Sequence, residues 1–149
     1  MLRRLTLTAV AAAALASPAA ASAALVHFTT PSGNIDCRAD TAREVWCSVE
    51  KGQWGSRAGR PAGCPTDYFP RDVRLSSSGR VSVGSCRGDI GPWCDPSGGA
   101  DGCRVLPYGR SVRIGRIRCT SSKAGVTCRT RLGRGPGFRV SRERLVRFR

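Results

Sequence analysis

Five arginines in the C-terminal part of the chain have the type and spacing that suit anion binding. Arg113, Arg116 and Arg118 precede a short polar stretch, and Arg129 and Arg131 follow it. A guanidinium group can donate two parallel hydrogen bonds to a phosphate or a carboxylate. The pattern therefore predicts an anion-binding face, whose partner would be an anionic cell-envelope polymer or a lipid surface.

The positive charge of the chain is concentrated in the same region. Residues 110–149 contain 13 basic residues and one acidic residue, Glu143, whereas residues 24–109 contain 10 basic and nine acidic ones. Only Lys51 and Lys123 are lysines, a bias towards arginine that GC-rich codons alone would produce. Codon bias explains the preference for arginine over lysine, but it does not explain the scarcity of acidic residues in this region. A functional basic face and a compositional bias are therefore both possible explanations.

The sequence contains no comparable pattern of catalytic residues, so we predict that the protein is not an enzyme. His27 is the only histidine, and close to a mature N-terminus we expect it to be solvated rather than part of a catalytic triad. No two of the scattered carboxylates stand out as an acid–base pair. A single histidine without a C-x-x-C pair argues against zinc, and residues 95–101 lack the ligand pattern of a calcium loop. We predict no catalytic residue, no metal and no cofactor.

The arginines require a β-hairpin over residues 112–132 to place them on one surface. Its two strands are separated by a four-residue loop, 122–125, in which Gly125 supplies the left-handed conformation. The alternation of apolar and polar residues shifts by one position between Ile114 and Ile117, which predicts a bulge at Gly115. The inward positions would be Ile117, Cys119, Val126, Cys128, Thr130 and Leu132. Cys119 then lies opposite Cys128, and the arginines point away from this cystine.

Two further hairpins are legible earlier in the chain. Residues 33–49 have the same order of features as residues 115–128: a Gly-x-Ile-x-Cys motif, a polar turn and a second cysteine. A three-residue loop, 41–43, would set Cys37 opposite Cys47. Internal duplication and a chance likeness between two cystine hairpins both explain this second copy. Residues 73–83 alternate apolar and polar side chains around a Ser-Ser-Gly turn, which sets Val73 opposite Val83.

The first 23 residues have the pattern of a secretory signal peptide. Arg3 and Arg4 precede an apolar run that ends in small residues, with predicted cleavage after Ala23. No other stretch approaches the roughly twenty apolar residues of a membrane span. We therefore predict a secreted, extracellular protein whose residues 24–149 form one domain.

All eight cysteines lie in the predicted mature region. An even number in an exported chain indicates four disulfides. We predict that neighbours along the sequence pair, namely Cys37 with Cys47, Cys64 with Cys86, Cys94 with Cys103, and Cys119 with Cys128. Without a sustained helical period, the fold class is all-β: a small disulfide-stapled antiparallel sheet or barrel-like domain of β-hairpins with long ordered loops, including 52–65 and 84–109.

Four sequence motifs add a resemblance to a known family. They are Phe-Thr-Thr-Pro-Ser-Gly-Asn-Ile-Asp-Cys (28–37), Leu-Pro-Tyr-Gly (106–109), Cys-Thr-Ser with Gly-Val-Thr-Cys (119–128), and Gly-Phe-Arg-Val-Ser-Arg (137–142). In this order they resemble an uncharacterised secreted, cystine-rich domain family of high-GC Gram-positive bacteria. The resemblance implies export and a cystine-linked β fold, with no assigned activity. The family pattern more often has Gly-His-Gly-Phe where this chain has Pro136.

Three functional hypotheses follow from these observations. The first is a non-catalytic extracellular binding module that uses the basic C-terminal face. The second is a protein-interaction or inhibitor module that acts through the loops 52–65 and 94–103. The third, a hydrolase, ranks last because no nucleophile and base are brought together. Nucleic acid is an unlikely partner, since the chain has no recognised nucleic-acid motif and a predicted export signal.

Overall fold

The computed structural model describes residues 26–55, 59–88, 94 and 102–149. The predicted signal peptide and residues 95–101 lie outside the described residues. In the described chain, β-strands predominate. The strands are β1 (Val26–Thr29), β2 (Ile35–Thr41), β3 (Glu44–Val49), β4 (Asp67–Ser76), β5 (Val81–Arg87), β6 (Arg104–Val105), β7 (Ser111–Ile114), β8 (Ile117–Ser122), β9 (Gly125–Arg129), β10 (Gly137–Val140) and β11 (Leu145–Phe148), and a helical turn, α1, spans Thr130–Gly133.

The strands form two sheets that share one hydrophobic core. The first sheet has the order β5-β4-β3-β2-β1-β6, and the second has the order β11-β10-β9-β8-β7. Neighbouring strands are antiparallel, except that β1 and β6 are parallel. The core combines fully buried side chains from both sheets, including Phe28, Val45, Leu75, Ile117, Val126 and Phe138. The all-β prediction is confirmed, but the sheets pack face to face and do not close into a barrel.

Two cystines lie in the middle of this core. Cys37 is opposite Cys47 on β2 and β3, and Cys119 is opposite Cys128 on β8 and β9. Both disulfides have a Cα–Cα distance of 4.1 Å, and all four cysteines are fully buried. Each cystine therefore fixes the register of its hairpin and also fills core volume.

The remaining cysteines pair Cys64 with Cys86 and Cys94 with Cys103. The four disulfides are thus the nearest-neighbour pairs expected from the sequence.

The likeness between the two cystine hairpins extends to five consecutive strands of each sheet. β1–β5 and β7–β11 are each a meander of five consecutive strands, and in each the cystine joins the second and third strands. Equivalent core rows cross the first four strands of each meander, Phe28-Cys37-Cys47-Val73 and Val112-Cys119-Cys128-Phe138. This shared topology favours internal duplication over a chance likeness between hairpins.

The turns differ from the predictions in three places. Gly115 is not a bulge, because Ile114 pairs directly with Ile117 and leaves a two-residue turn. Its φ of 54° has the sign that the first central position of a type II′ turn requires. The loop after β8 is also shorter than predicted, since Ser122 pairs with Gly125. The loop after β2 has two residues rather than three, because an irregularity in the ladder shifts the pairing by one residue.

The third hairpin has the predicted register but longer strands. Val73 pairs with Val83, as the alternation indicated. β4 begins at Asp67, and β5 continues to Arg87, into the predicted loop 84–109. That loop also contributes β6, a two-residue strand on the edge of the first sheet. A break in the pairing between Phe69 and Val73 interrupts the alternation that would have revealed the full length of β4.

Candidate functional site

Three arginines form a continuous row across the outer face of the second sheet. Arg113 on β7 lies directly opposite Arg118 on β8, which lies directly opposite Arg129 on β9. Arg113 and Arg118 are exposed and Arg129 is half-buried. The neighbouring residues Cys119 and Cys128 point into the core, so strand alternation turns the arginines towards solvent. The hairpin thus presents three guanidinium groups side by side.

The other two predicted arginines lie elsewhere. Arg116 occupies the β7–β8 turn rather than a strand. Arg131 is not in a strand because β9 ends at Arg129 and the chain enters α1. Arg131 and Leu132 have positive φ values of 48° and 55°, which takes Leu132 out of the predicted alternation. Thr130 is buried, as predicted. The prediction of a strand through Leu132 is therefore wrong.

The left-handed turn brings a fourth arginine to the row. A depression of about 310 Å³ on the outer face is lined by Arg118, Arg129 and Arg134, the hydroxyl-bearing Thr120 and Thr127, and the turn residues Leu132 and Gly133. The turn is held by the Leu132 N–H, which donates to the Arg116 carbonyl at 2.9 Å. We call Arg113, Arg118, Arg129 and Arg134, with Thr120 and Thr127, the arginine patch. Non-glycine residues in left-handed conformations cost on the order of 1–3 kcal/mol and cluster at functional sites.

Backbone contacts fix the two outer arginines of the row. Arg113 Nε donates to the Gly115 carbonyl at 2.9 Å, and Arg129 Nε donates to the Gly135 carbonyl at 2.8 Å. The Arg129 guanidinium also lies 4.7 Å from the centre of the Phe148 ring. It reaches that ring across Gly137, which has no side chain in the way. Held in this way, these guanidinium groups lose less conformational freedom on binding.

No carboxylate balances the arginine patch in the described part of the chain. The ion pairs there join Arg38 to Asp40, Arg74 to Glu44 and Arg87 to Asp72, all in the first sheet. Glu143 contacts Ser141, whose hydroxyl donates to it at 2.9 Å and lowers the pKa of its carboxyl group. The patch is therefore a site of unneutralised positive charge.

The equivalent row of the first sheet carries acids instead. Thr29, Asp36, Ser48 and Asp72 lie opposite one another on β1 to β4. Burial raises the pKa of Asp36, and Asp72 receives hydrogen bonds from Ser85 and Arg87. The row of arginines is consequently a property of the second sheet alone, and not of the shared hairpin architecture.

His27 is not the solvated terminal residue that the sequence suggested. It lies in β1 with 2% of its surface exposed, on the outer face of the first sheet. One of its ring nitrogens and the sulfur atoms of Cys94 and Cys103 lie within 4.8 Å of one another. Because these sulfurs form a disulfide, the cluster lacks the thiolates that bind a metal. The parallel pairing of β1 with β6 brings these groups together, and no local sequence signal reveals such a contact.

Arg134, Thr120 and Thr127 are site residues that sequence reasoning missed. Thr120 and Thr127 have the same strand phase as Arg118 and Arg129, so alternation alone places them on the same face. Arg134 follows a left-handed turn of non-glycine residues, which has no clear sequence signature.

The sequence matches the model of one protein family over most of its length. The model of a family of unknown function, DUF6636, matches residues 9–148. The chain belongs to this family. No curated protein and no solved structure matches the chain. Membership of DUF6636 covers almost the whole sequence and assigns no activity, so the geometry of the site must carry any functional argument. In the described residues, no helix is long and apolar enough to cross a membrane.

Proposed function

We propose that this protein is a secreted, non-catalytic binding module whose arginine patch binds a phosphate-bearing polymer of the cell envelope. The observation that carries the proposal is the row Arg113-Arg118-Arg129 on adjacent strands. Like charges directly opposite one another destabilise a sheet. A bound polyanion would neutralise this row, and the fork of each guanidinium group suits phosphate oxygens.

The shape of the patch favours a polymer over a bilayer. Arg134 and the α1 turn line a depression together with Thr120 and Thr127. The Thr127 hydroxyl group lies there, as does that of Thr120, which also bonds to Ser111 at 2.8 Å. Hydroxyl and guanidinium donors together suit the oxygens of a phosphodiester. Among the described residues, the exposed large apolar side chains are Val105 and Tyr108, neither of which lies at the patch. Leu132, which lines the depression, is half-buried, so the described residues of the patch offer no exposed large apolar side chain that would insert into a lipid surface.

The test measures binding of the oxidised domain to polyglycerol phosphate, at low and at physiological salt. The variant R118Q/R129Q removes two charges from the patch. The control R43Q/R80Q removes two exposed arginines from turns of the first sheet. We expect binding that weakens with salt, falls at least about tenfold in R118Q/R129Q and is unchanged in the control.

Three results would overturn the proposal. They are binding that does not respond to salt, equal losses in both variants, and tighter binding to phosphatidylglycerol vesicles than to the polymer. The last result would assign the patch to a lipid surface.

A further inference from the structure

A second polar site lies at one end of the sandwich, between the two sheets. It is a cleft of about 320 Å³ formed where the β1–β2 turn and the end of β3 meet the β8–β9 and β10–β11 turns. We call it the lysine cleft, because Lys51 and Lys123, the only lysines in the chain, both line it. We propose that the lysine cleft binds an acidic sugar, a ligand that carries both hydroxyl groups and a carboxylate. This proposal is independent of the arginine patch.

The charge of the cleft favours an anion. Lys51, Lys123 and Arg142 line it together with a single carboxylate, Glu143. In the described residues, no ion pair engages either lysine. The Glu143 carboxylate is already held by the Ser141 hydroxyl. Two free ammonium groups on opposite walls can therefore each donate to an anionic ligand between them.

The uncharged lining favours a hydroxylated ligand. Thr30, Ser32, Asn34 and Ser122 contribute hydroxyl and amide groups, and Tyr108 contributes an aromatic ring that is 40% exposed. A ring at the rim of a polar cleft can pack against the C–H face of a sugar, while the surrounding hydroxyls bond to its oxygens. The volume lies at the lower end of the range for small-molecule sites.

The walls of the cleft are held in place before any ligand binds. Asn34 Oδ1 accepts from the Lys51 N–H at 2.8 Å, and Asn34 Nδ2 donates to the Lys51 carbonyl at 3.3 Å. The Trp54 indole N–H donates to the Ser141 carbonyl at 2.7 Å, which joins the first sheet to the β10–β11 turn. The Gln53 N–H donates to the Arg142 carbonyl, also at 2.7 Å. This preorganisation reduces the entropic cost of binding.

The cleft also brings together distant parts of the sequence. Asn34, Tyr108, Ser122 and Arg142 come from, or directly adjoin, the four motifs on which the family resemblance was based. Those motifs are separated by up to about a hundred residues, and the fold gives them one common location. Strand pairing alone does not require four polar segments to converge in this way.

The experiment titrates oxidised protein with oligogalacturonate and, separately, with neutral galactose oligomers of the same length. Binding is followed by backbone amide NMR. The variant K51Q/K123Q removes the two ammonium groups, and Y108A removes the ring. R43Q/R80Q serves as the control of equal charge change, at exposed arginines outside both the cleft and the arginine patch. We expect shifts at cleft residues with the acidic oligomer only, and affinity at least about tenfold lower in K51Q/K123Q.

Each alternative result has a defined meaning. Equal binding of the neutral oligomer would contradict the role of the lysines, as would undiminished affinity in K51Q/K123Q. Equal losses in K51Q/K123Q and R43Q/R80Q would show that the binding depends only on the net charge of the protein. Failure of the arginine patch to bind polyglycerol phosphate would leave the cleft proposal standing. The lysines are exposed, so unfolding midpoints close to that of the unmodified protein should show that the variants fold.

Discussion

The arginine row should cost the protein stability, and the substitution Arg118→Gln measures this cost. Arg118 is the middle member of the row, with Arg113 and Arg129 directly opposite it on its two sides. A like-charged pair in this position destabilises a sheet by on the order of 0.2–1 kcal/mol. One substitution at Arg118 removes both pairs, whereas a substitution at either end removes only one.

The expected increase in the free energy of unfolding lies in the lower half of the range that the removal of two like-charged pairs allows. Both outer arginines bond to backbone carbonyls through Nε, and the row is exposed to solvent, so screening weakens the repulsion. We expect R118Q to raise the free energy of unfolding by about 0.5–1 kcal/mol at low salt. For a chain of this size the corresponding rise in Tm is roughly 2–6 °C.

Urea denaturation at low salt and at about 1 M salt provides the assay, with R139Q as the matched control. Arg139 lies on the same outer face, but its cross-strand neighbours are Thr127 and Val146, which carry no charge. R118Q should stabilise the protein more than R139Q at low salt, and the difference should disappear at high salt. Equal effects of the two substitutions at low salt would refute the claim that the row is electrostatically strained. A bound polyanion would then have no repulsion between arginines to relieve.

Three further substitutions test other parts of the structure. Gly125→Ala should lower the free energy of unfolding by more than about 2 kcal/mol, because Gly125 has a φ of 111° and a Cβ there would collide with the Val140 carbonyl. Urea denaturation measures this loss. A loss below about 0.5 kcal/mol, the ordinary size of the effect of a surface substitution, would be inconsistent with that geometry. Asp72→Asn should cost about 3 kcal/mol, since it breaks the nearly buried pair with Arg87, whose N–O distance is 3.0 Å. If the variant unfolds at the same temperature as the unmodified protein, the Asp72–Arg87 pair does not stabilise the fold. Burial raises the pKa of Asp36 above its ordinary value of 3.8, so its carboxylate destabilises the fold increasingly as pH rises from that value through the folded-state pKa. Asp36→Asn should therefore stabilise the protein at neutral pH and have little effect well below pH 3.8, and a gain independent of pH would contradict this account.

Local spacing predicted those parts of the fold that depend on neighbouring segments. The cystine hairpins have the expected register because two cysteines about ten residues apart around a polar turn face each other across that turn. The alternation of apolar and polar residues around Val73 and Val83 was sufficient to predict the register of the third hairpin. Strand alternation likewise placed Arg113, Arg118 and Arg129 on one outward face.

The features that sequence reasoning missed depend on contacts between distant segments or on unusual backbone conformations. His27 is buried because β1 lies between β2 and β6, and the β6 partner comes more than seventy residues later. Arg134 reaches the patch through left-handed residues that propensity disfavours. The lysine cleft combines turns from both sheets, so its lining follows from how the sheets pack. Packing of this kind leaves no periodic signal in any one segment.

The arrangement of the disulfides has a consequence for oxidative folding. The paired cysteines are 10, 22, 9 and 9 residues apart, and no bond encloses or crosses another. Each bond can therefore close as soon as its own segment is available, in order from the N-terminus, without waiting for a later cysteine to arrive. Short loops close quickly, which favours the three native bonds that join cysteines nine or ten residues apart. Cys64–Cys86 has no such advantage, because its 22-residue separation is longer than that between Cys86 and Cys94. A chain built in this way can acquire its cross-links one after another while the rest of it is still unfolded, and the two sheets then assemble from hairpins that are already oxidised.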